Sequence, residues 1–179
     1  MNEVNEAFLM GQLLEIDTLC KSSDRLYASP NEFSEGGAPK SYVFRLTCRS
    51  PVKVDGVIQI AEREHLICVA MPDDYLQIAH DPGHILCLLE PRTLFHPNII
   101  GPMICIGDIA PATAVVDILV RTFEVLTCQR INMREEEALN YAACEWARHA
   151  ELPLQTDSLV NLSAKPRSDF TFTSVTEEM

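Results

Sequence analysis

Between residues 4 and 20, Leu9, Leu13, Ile16 and Cys20 recur at i, i+4, i+7 and i+11. A single apolar stripe of this spacing predicts an N-terminal helix. Pro30, Gly36, Gly37 and Pro39 then give residues 28–40 a loop composition. Next the period shortens to two: Tyr42, Phe44, Leu46 and Cys48 share one face, which predicts a half-buried strand over 41–49. Strands follow at 57–60 and 66–71, with the charged stretch 62–65 read as a polar turn between them. Residues 72–84, with Pro72, Asp73, Asp74, Pro82 and Gly83, read as a loop, and 85–89 as a short, fully apolar strand.

From 90 to 114 the chain changes character. Prolines and glycines are interleaved with Ile99, Ile100, Ile104, Ile106 and Ile109, the mark of an ordered irregular segment rather than a linker. Such a stretch in a compact domain is more often functional than accidental. Two helices follow. One carries the stripe Val116, Leu119, Val120, Phe123 and Leu126, and the other Leu139, Ala142, Ala143, Trp146 and Ala150. Asn132 with Glu135 three residues on resembles a capping box for the second, and Pro153 stops it. The order is helix, about four strands in meander order, irregular segment, two helices. It predicts an α+β fold with an antiparallel sheet over residues 1–154, and a polar C-terminal tail over 155–179 that is mobile or docks as a strand.

Charge narrows the partners. With 14 Lys+Arg against 26 Asp+Glu the net charge is −12, which argues against nucleic acid and anionic membranes as partners. No apolar run is long enough to cross a bilayer, and the acidic N-terminus does not read as a secretion signal. The 7 cysteines form no C-x-x-C pair, and most sit in apolar runs, which predicts reduced thiols in a cytoplasmic protein. Without paired ligands a structural zinc is not expected, and neither a metal nor a cofactor is predicted.

Cys105 stands out among the thiols because it lies between Gly101 and Gly107 inside the irregular segment. It reads either as a nucleophile, since a thiolate attacks carbonyls and its thioester is a reactive acyl carrier, or as a small hydrophobe packed beside Ile104 and Ile106. His96-Pro97-Asn98 precedes it and reads as a turn. Asn98 either donates to a developing oxyanion or only ties down its loop. A dyad of Cys105 with His96 is conceivable, but spacing alone does not place the two side chains together.

The run His96-Pro97-Asn98-Ile99, then Gly101, then Ile104-Cys105-Ile106, resembles the active-site segment of ubiquitin-conjugating enzymes. The element order over about residues 4–152 resembles that family too. The segment after the cysteine, Ile106-Gly107-Asp108-Ile109, and the position of the single tryptophan, Trp146, depart from the usual pattern. In this the chain is more similar to the bacterial conjugating-enzyme-like proteins of anti-phage (antiviral) defence operons. The resemblance implies an acyltransferase with a catalytic cysteine. Cys105 would take a protein C-terminus as a thioester from an activating enzyme and pass it to a lysine amine. The donor would be a ubiquitin-like protein or the C-terminus of a nucleotidyltransferase. Asn98 would stabilise the oxyanion or hold the loop, and His96 would pack the turn. Asp108, Glu135, Glu136 and Glu137 are the candidates for an acid that orients the amine. For the glutamates, a charged first helical turn is the plainer account. Only Lys21, Lys40, Lys53 and Lys165 are lysines, a scarcity that suits a carrier of activated acyl groups but for which simple composition bias is the plainer account. The alternative function is a non-enzymatic protein-binding module of the same fold.

Overall fold

The computed structural model describes residues 3–156 together with 158 and 159. The tail expected over 155–179 therefore falls almost wholly outside the described residues. The elements run α1 (Glu3–Ser22), β1 (Leu26–Phe33), β2 (Pro39–Val54), β3 (Val57–Ala70), α2 (Pro82–Ile85), β4 (Leu86–Glu90), β5 (Ile99–Ile100), β6 (Met103–Ile104), α3 (Val115–Leu126) and α4 (Tyr141–Ala147). The first four strands form one antiparallel sheet in the order β1-β2-β3-β4, and β5 and β6 form a separate two-stranded hairpin. The chain is thus α+β, with an N-terminal helix, a four-stranded antiparallel meander and C-terminal helices.

The alternation in β2 is the backbone of the core. Tyr42, Phe44, Leu46, Cys48 and Val52 are fully buried, and Ile67, Val69 and Leu88 of β3 and β4 join them on the same face. Helices α1 and α3 touch each other, and both reach β2. Burying this many apolar side chains on one face of a sheet is the main force holding the fold.

Several sequence expectations are corrected here. Residues 28–33 are not loop but belong to β1, an edge strand that accommodates Pro30 next to a register shift. The 62–65 stretch is not a turn: it runs straight through β3, with Arg49 opposite Glu62 and Cys48 opposite Arg63. The reversal lies instead at Asp55 (φ 50°) and Gly56 (φ 82°), between Val54 and Val57. Two successive left-handed residues match the right-handed twist of the flanking strands, which is why Asp-Gly closes tight hairpins. Part of the 72–84 loop is the first turn of α2. The last helix starts at Asn140, whose side chain accepts from the N–H of Ala143 (3.2 Å), and not at Asn132; it ends at Ala147, ahead of Pro153.

The helical stripes are also rotated from the periodicity reading. In α1, Gln12 and Leu19 are buried beside Leu9, Ile16 and Cys20, while Leu13 is half-buried. Gln12 is there because α3 needs it. Ala114, the residue capping α3, has no side-chain acceptor, and Gln12 Oε1 accepts the Val115 N–H instead (2.7 Å). A helix N-terminus leaves N–H groups unpaired, and α1 supplies one partner from across the core. In α3 the buried line runs Val115, Ile118, Leu119, Thr122 and Phe123, with Val116 and Val120 at its edge. In α4, Ala142 is exposed, and Ala143, Cys144 and Ala147 face inward.

Candidate functional site

The irregular segment is ordered by short-range bonds that its own residues dictate. Ile99 pairs with Ile104 and Ile100 with Met103, and Gly101 (φ 56°) makes the reversal between them. The hairpin brings Cys105 back beside Asn98. The Cys105 N–H donates to the Asn98 carbonyl (2.9 Å), and Asn98 Nδ2 donates to the Cys105 carbonyl (3.0 Å). Asn98 Oδ1 in turn accepts the Asn132 N–H (2.8 Å). The buried amide therefore braces two loops with both of its heteroatoms, leaving one Nδ2 hydrogen uncommitted. Of the two roles read for Asn98, loop tie and oxyanion donor, these bonds perform the first.

Further anchors act on either side. The Pro97 carbonyl accepts from the Asn140 N–H (3.1 Å), which fastens the start of α4 to the Pro-Asn bend. Leu88 of β4 donates its N–H to the Pro102 carbonyl (2.8 Å). Arg130 Nη1 donates to the Ile106 carbonyl (3.3 Å), and Arg121 Nη1 to the Asp108 carbonyl (3.2 Å). His80 and Ile109 exchange backbone bonds of 2.9 and 3.3 Å. The backbone around Cys105 is thus pinned from the sheet edge and from both C-terminal helices, which holds the thiol in a defined position.

Cys105 is half-buried and lines a recess of about 80 Å³ with Asp81, Pro82, Gly83, Met103, Ile104 and Leu139. Cys20, Cys48, Cys128 and Cys144 are buried in contrast. Burial pushes the thiol of Cys20 up to about 11 and those of Cys48 and Cys128 up to about 12, so these sulfurs stay protonated and inert at neutral pH. Cys105 is therefore not the sealed hydrophobe that one reading of its apolar neighbours allowed.

His96 is fully buried. Its Nδ1 accepts the Asn98 N–H (3.0 Å), which assigns the proton to Nε2, a buried atom with no hydrogen-bond partner. Burial pushes its pKa down to about 3. The ring is a neutral pin for the bend. Among the described residues no hydrogen bond joins the Cys105 thiol to an imidazole.

The acids sort by position. The Glu137 carboxylate is engaged by Arg134 (3.1 Å) and Asn132 (3.3 Å), and the Arg134 hydrogen bond, the larger influence, holds it below the usual carboxylate range. Glu136 and Asp108 are exposed and do not line the recess. Asp81 does line it, and its Oδ1 accepts the Gly83 N–H (2.8 Å) as the cap of α2. The sequence reading missed Asp81 because Asp-Pro-Gly was absorbed into a loop. Its N-cap-then-proline pattern was the available signal.

Fold and site together define an α+β protein bearing a partly exposed cysteine on a braced, irregular loop. Comparisons with protein-family models, with curated proteins and with solved structures find no match to this chain. Among the described residues no cluster of side chains suits a metal ion, and no helix is long and apolar enough to cross a membrane.

Proposed function

We propose that this chain is a ubiquitin-conjugating-enzyme-like acyl carrier, acting in the cytoplasm in bacterial anti-phage defence. The Cys105 thiolate attacks the carbonyl carbon of a protein C-terminus held as a thioester on an activating enzyme. The activating enzyme's thiolate leaves, and the acyl group rests on Cys105. A lysine amine then attacks that carbonyl, the Cys105 thiolate departs, and an isopeptide bond remains. The donor is a ubiquitin-like protein or a nucleotidyltransferase C-terminus. The observation that carries the reading is the mutual bonding of Asn98 and Cys105 in a half-open loop. It belongs to the same His-Pro-Asn and cysteine segment that resembles the family.

The experiment mixes the full chain with the activating enzyme and donor encoded beside it, plus ATP, and compares gels with and without thiol reductant. A reductant-labile adduct supports the carrier. A tight complex that forms no adduct and is indifferent to Cys105→Ala supports a binding module and overturns the carrier.

Two variants probe the neighbours. Asn98→Ala leaves the Asn132 N–H and the Cys105 carbonyl without their partners, each worth about 1–3 kcal/mol when buried. The expected result is a lowered melting temperature and slower thioester formation. Unchanged stability, measured by thermal melts, would remove the bracing role. Asp81→Asn keeps the cap acceptor but deletes the charge in the recess. Loading of Cys105 should proceed normally, while discharge to free lysine slows about a hundredfold, the low end of general acid–base effects. Equal discharge rates in a single-turnover chase would rule Asp81 out.

A further inference from the structure

All seven cysteines are unbridged, and the three that are not fully buried are Cys68, Cys87 and Cys105. Two of these face each other. Cys68 in β3 is directly opposite Cys87 in β4. Their sequence neighbours Ile67, Val69, Leu86 and Leu88 are buried on the core side, so the alternation of a strand turns both thiols to the other face of the sheet. Opposed residues in an antiparallel ladder have Cα atoms about 4.5–5.5 Å apart, inside the roughly 4.4–6.8 Å that a disulfide spans.

We propose that Cys68 and Cys87 form a reactive dithiol on the outer face of the sheet that a peroxide oxidises to a disulfide. One thiolate attacks the O–O bond, giving a sulfenic acid and releasing one water once protonated. The second thiolate attacks the sulfenic sulfur, the S–S bond forms and a second water leaves. Two thiols and one hydrogen peroxide become one disulfide and two waters, with the peroxide reduced by two electrons. The ladder register already brings the two residues opposite each other.

Other pairings are less favoured. Cys48 and Cys128 also feel each other, but both are buried and their thiols are pushed up to about 12, which withholds the thiolate and excludes the oxidant. The Cys68 thiol is also raised, by partial burial first, then by Cys87 and Glu32, so the reaction speeds up as pH rises. The Cys87 thiol makes only a long contact to the Leu88 carbonyl (3.8 Å), which a disulfide replaces at little cost. The site is independent of whatever chemistry Cys105 performs.

The sequence offers a direct assay. Between Arg63 and Arg92 there is no lysine or arginine, so one tryptic peptide, 64–92, contains Cys68 and Cys87 and no other cysteine. The folded full chain is treated with a small excess of hydrogen peroxide at pH 8, alkylated in denaturant, digested and weighed. The expected result is that this peptide is two hydrogens lighter and refuses alkylation. Dithiothreitol should restore both thiols, and the oxidised chain should melt at a higher temperature. Cys68→Ser and Cys87→Ser should each abolish the bridge. If the peptide remains fully alkylated, or if the bridge joins other cysteines or two chains, the proposal is overturned. The wild-type measurement decides this even if either variant fails to fold.

Discussion

Cys105→Ala removes the reductant-labile adduct entirely, down to the background of a reaction without ATP. Alanine has no nucleophile, the four buried thiols lack the exposure to replace it, and Cys68 and Cys87 lie outside the recess that holds Cys105. Cys105→Ser is the sharper variant. A serine oxygen in the same recess accepts the acyl group as an oxygen ester, formed more slowly because a hydroxyl ionises far less readily than a thiol. The ester survives thiol reductant and is cut by hydroxylamine. Because Cys105 is only half-buried and lines a recess, both substitutions should leave stability within about 0.5 kcal/mol, so lost activity cannot be blamed on unfolding. Gels of donor, activating enzyme and ATP with each variant, alongside thermal melts, make the test. An adduct that persists in Cys105→Ala at wild-type levels removes this residue from the chemistry.

Acid should destabilise the protein well above the range where its carboxylates titrate. Two histidines are fully buried and neutral: His96, pushed to about 3, and His65, pushed to about 4, both by burial first. His65 sits in the core with its Nε2 3.2 Å from the Ser50 hydroxyl. In the unfolded chain each takes a proton near 6.5. Folded affinity for the proton is therefore the weaker, and the unfolded state binds more protons below that pH. Stability is full above about pH 7 and falls as pH drops through 6.5 towards 4. At pH 5 each histidine costs about 2 kcal/mol, and the pair about 4. That is a large part of the total for a domain whose stability is of order 5–15 kcal/mol. For His96 there is a second consequence. Protonating Nδ1 expels the Asn98 N–H, so the bend that carries the site opens with it. Melting temperature followed from pH 7.5 to 4.5 checks this. A steep fall below pH 6.5 is expected, shallower in His65→Gln and in His96→Gln, and a flat profile down to pH 5 overturns it.

How far the sequence led depends on how local each signal was. The period-two pattern of β2 was readable because Tyr42, Phe44, Leu46 and Cys48 each meet the core, and the pattern continues to Val52. Its partner β3 was split in two because residues 57–64 are almost wholly exposed, so no alternation survives there. The distal half of that hairpin is held by its ladder with β2 rather than by burial on its own side. The Val54-Asp55-Gly56-Val57 signal for the real turn was present but outweighed by the charged run. The stripe of α3 was misjudged by one position because Val115, at its very start, is fully buried where α1 meets α3.

Chain order alone was enough for the α+β class, the meander, and the placing of a cysteine among glycines on an irregular segment. Periodicity and turn chemistry act between near neighbours, and near neighbours are what a linear chain records. Long-range pairing decided everything that gives those residues a job. The Asn98 amide tied the β5–β6 hairpin to Asn132, the docking of the 81–83 turn on that hairpin put Asp81 into the recess of Cys105, and the β3–β4 register set Cys68 opposite Cys87. Each of these contacts depends on the angle and register at which separate elements dock. One residue of slip in a strand would turn its side chains to the opposite face while leaving the sequence pattern unchanged.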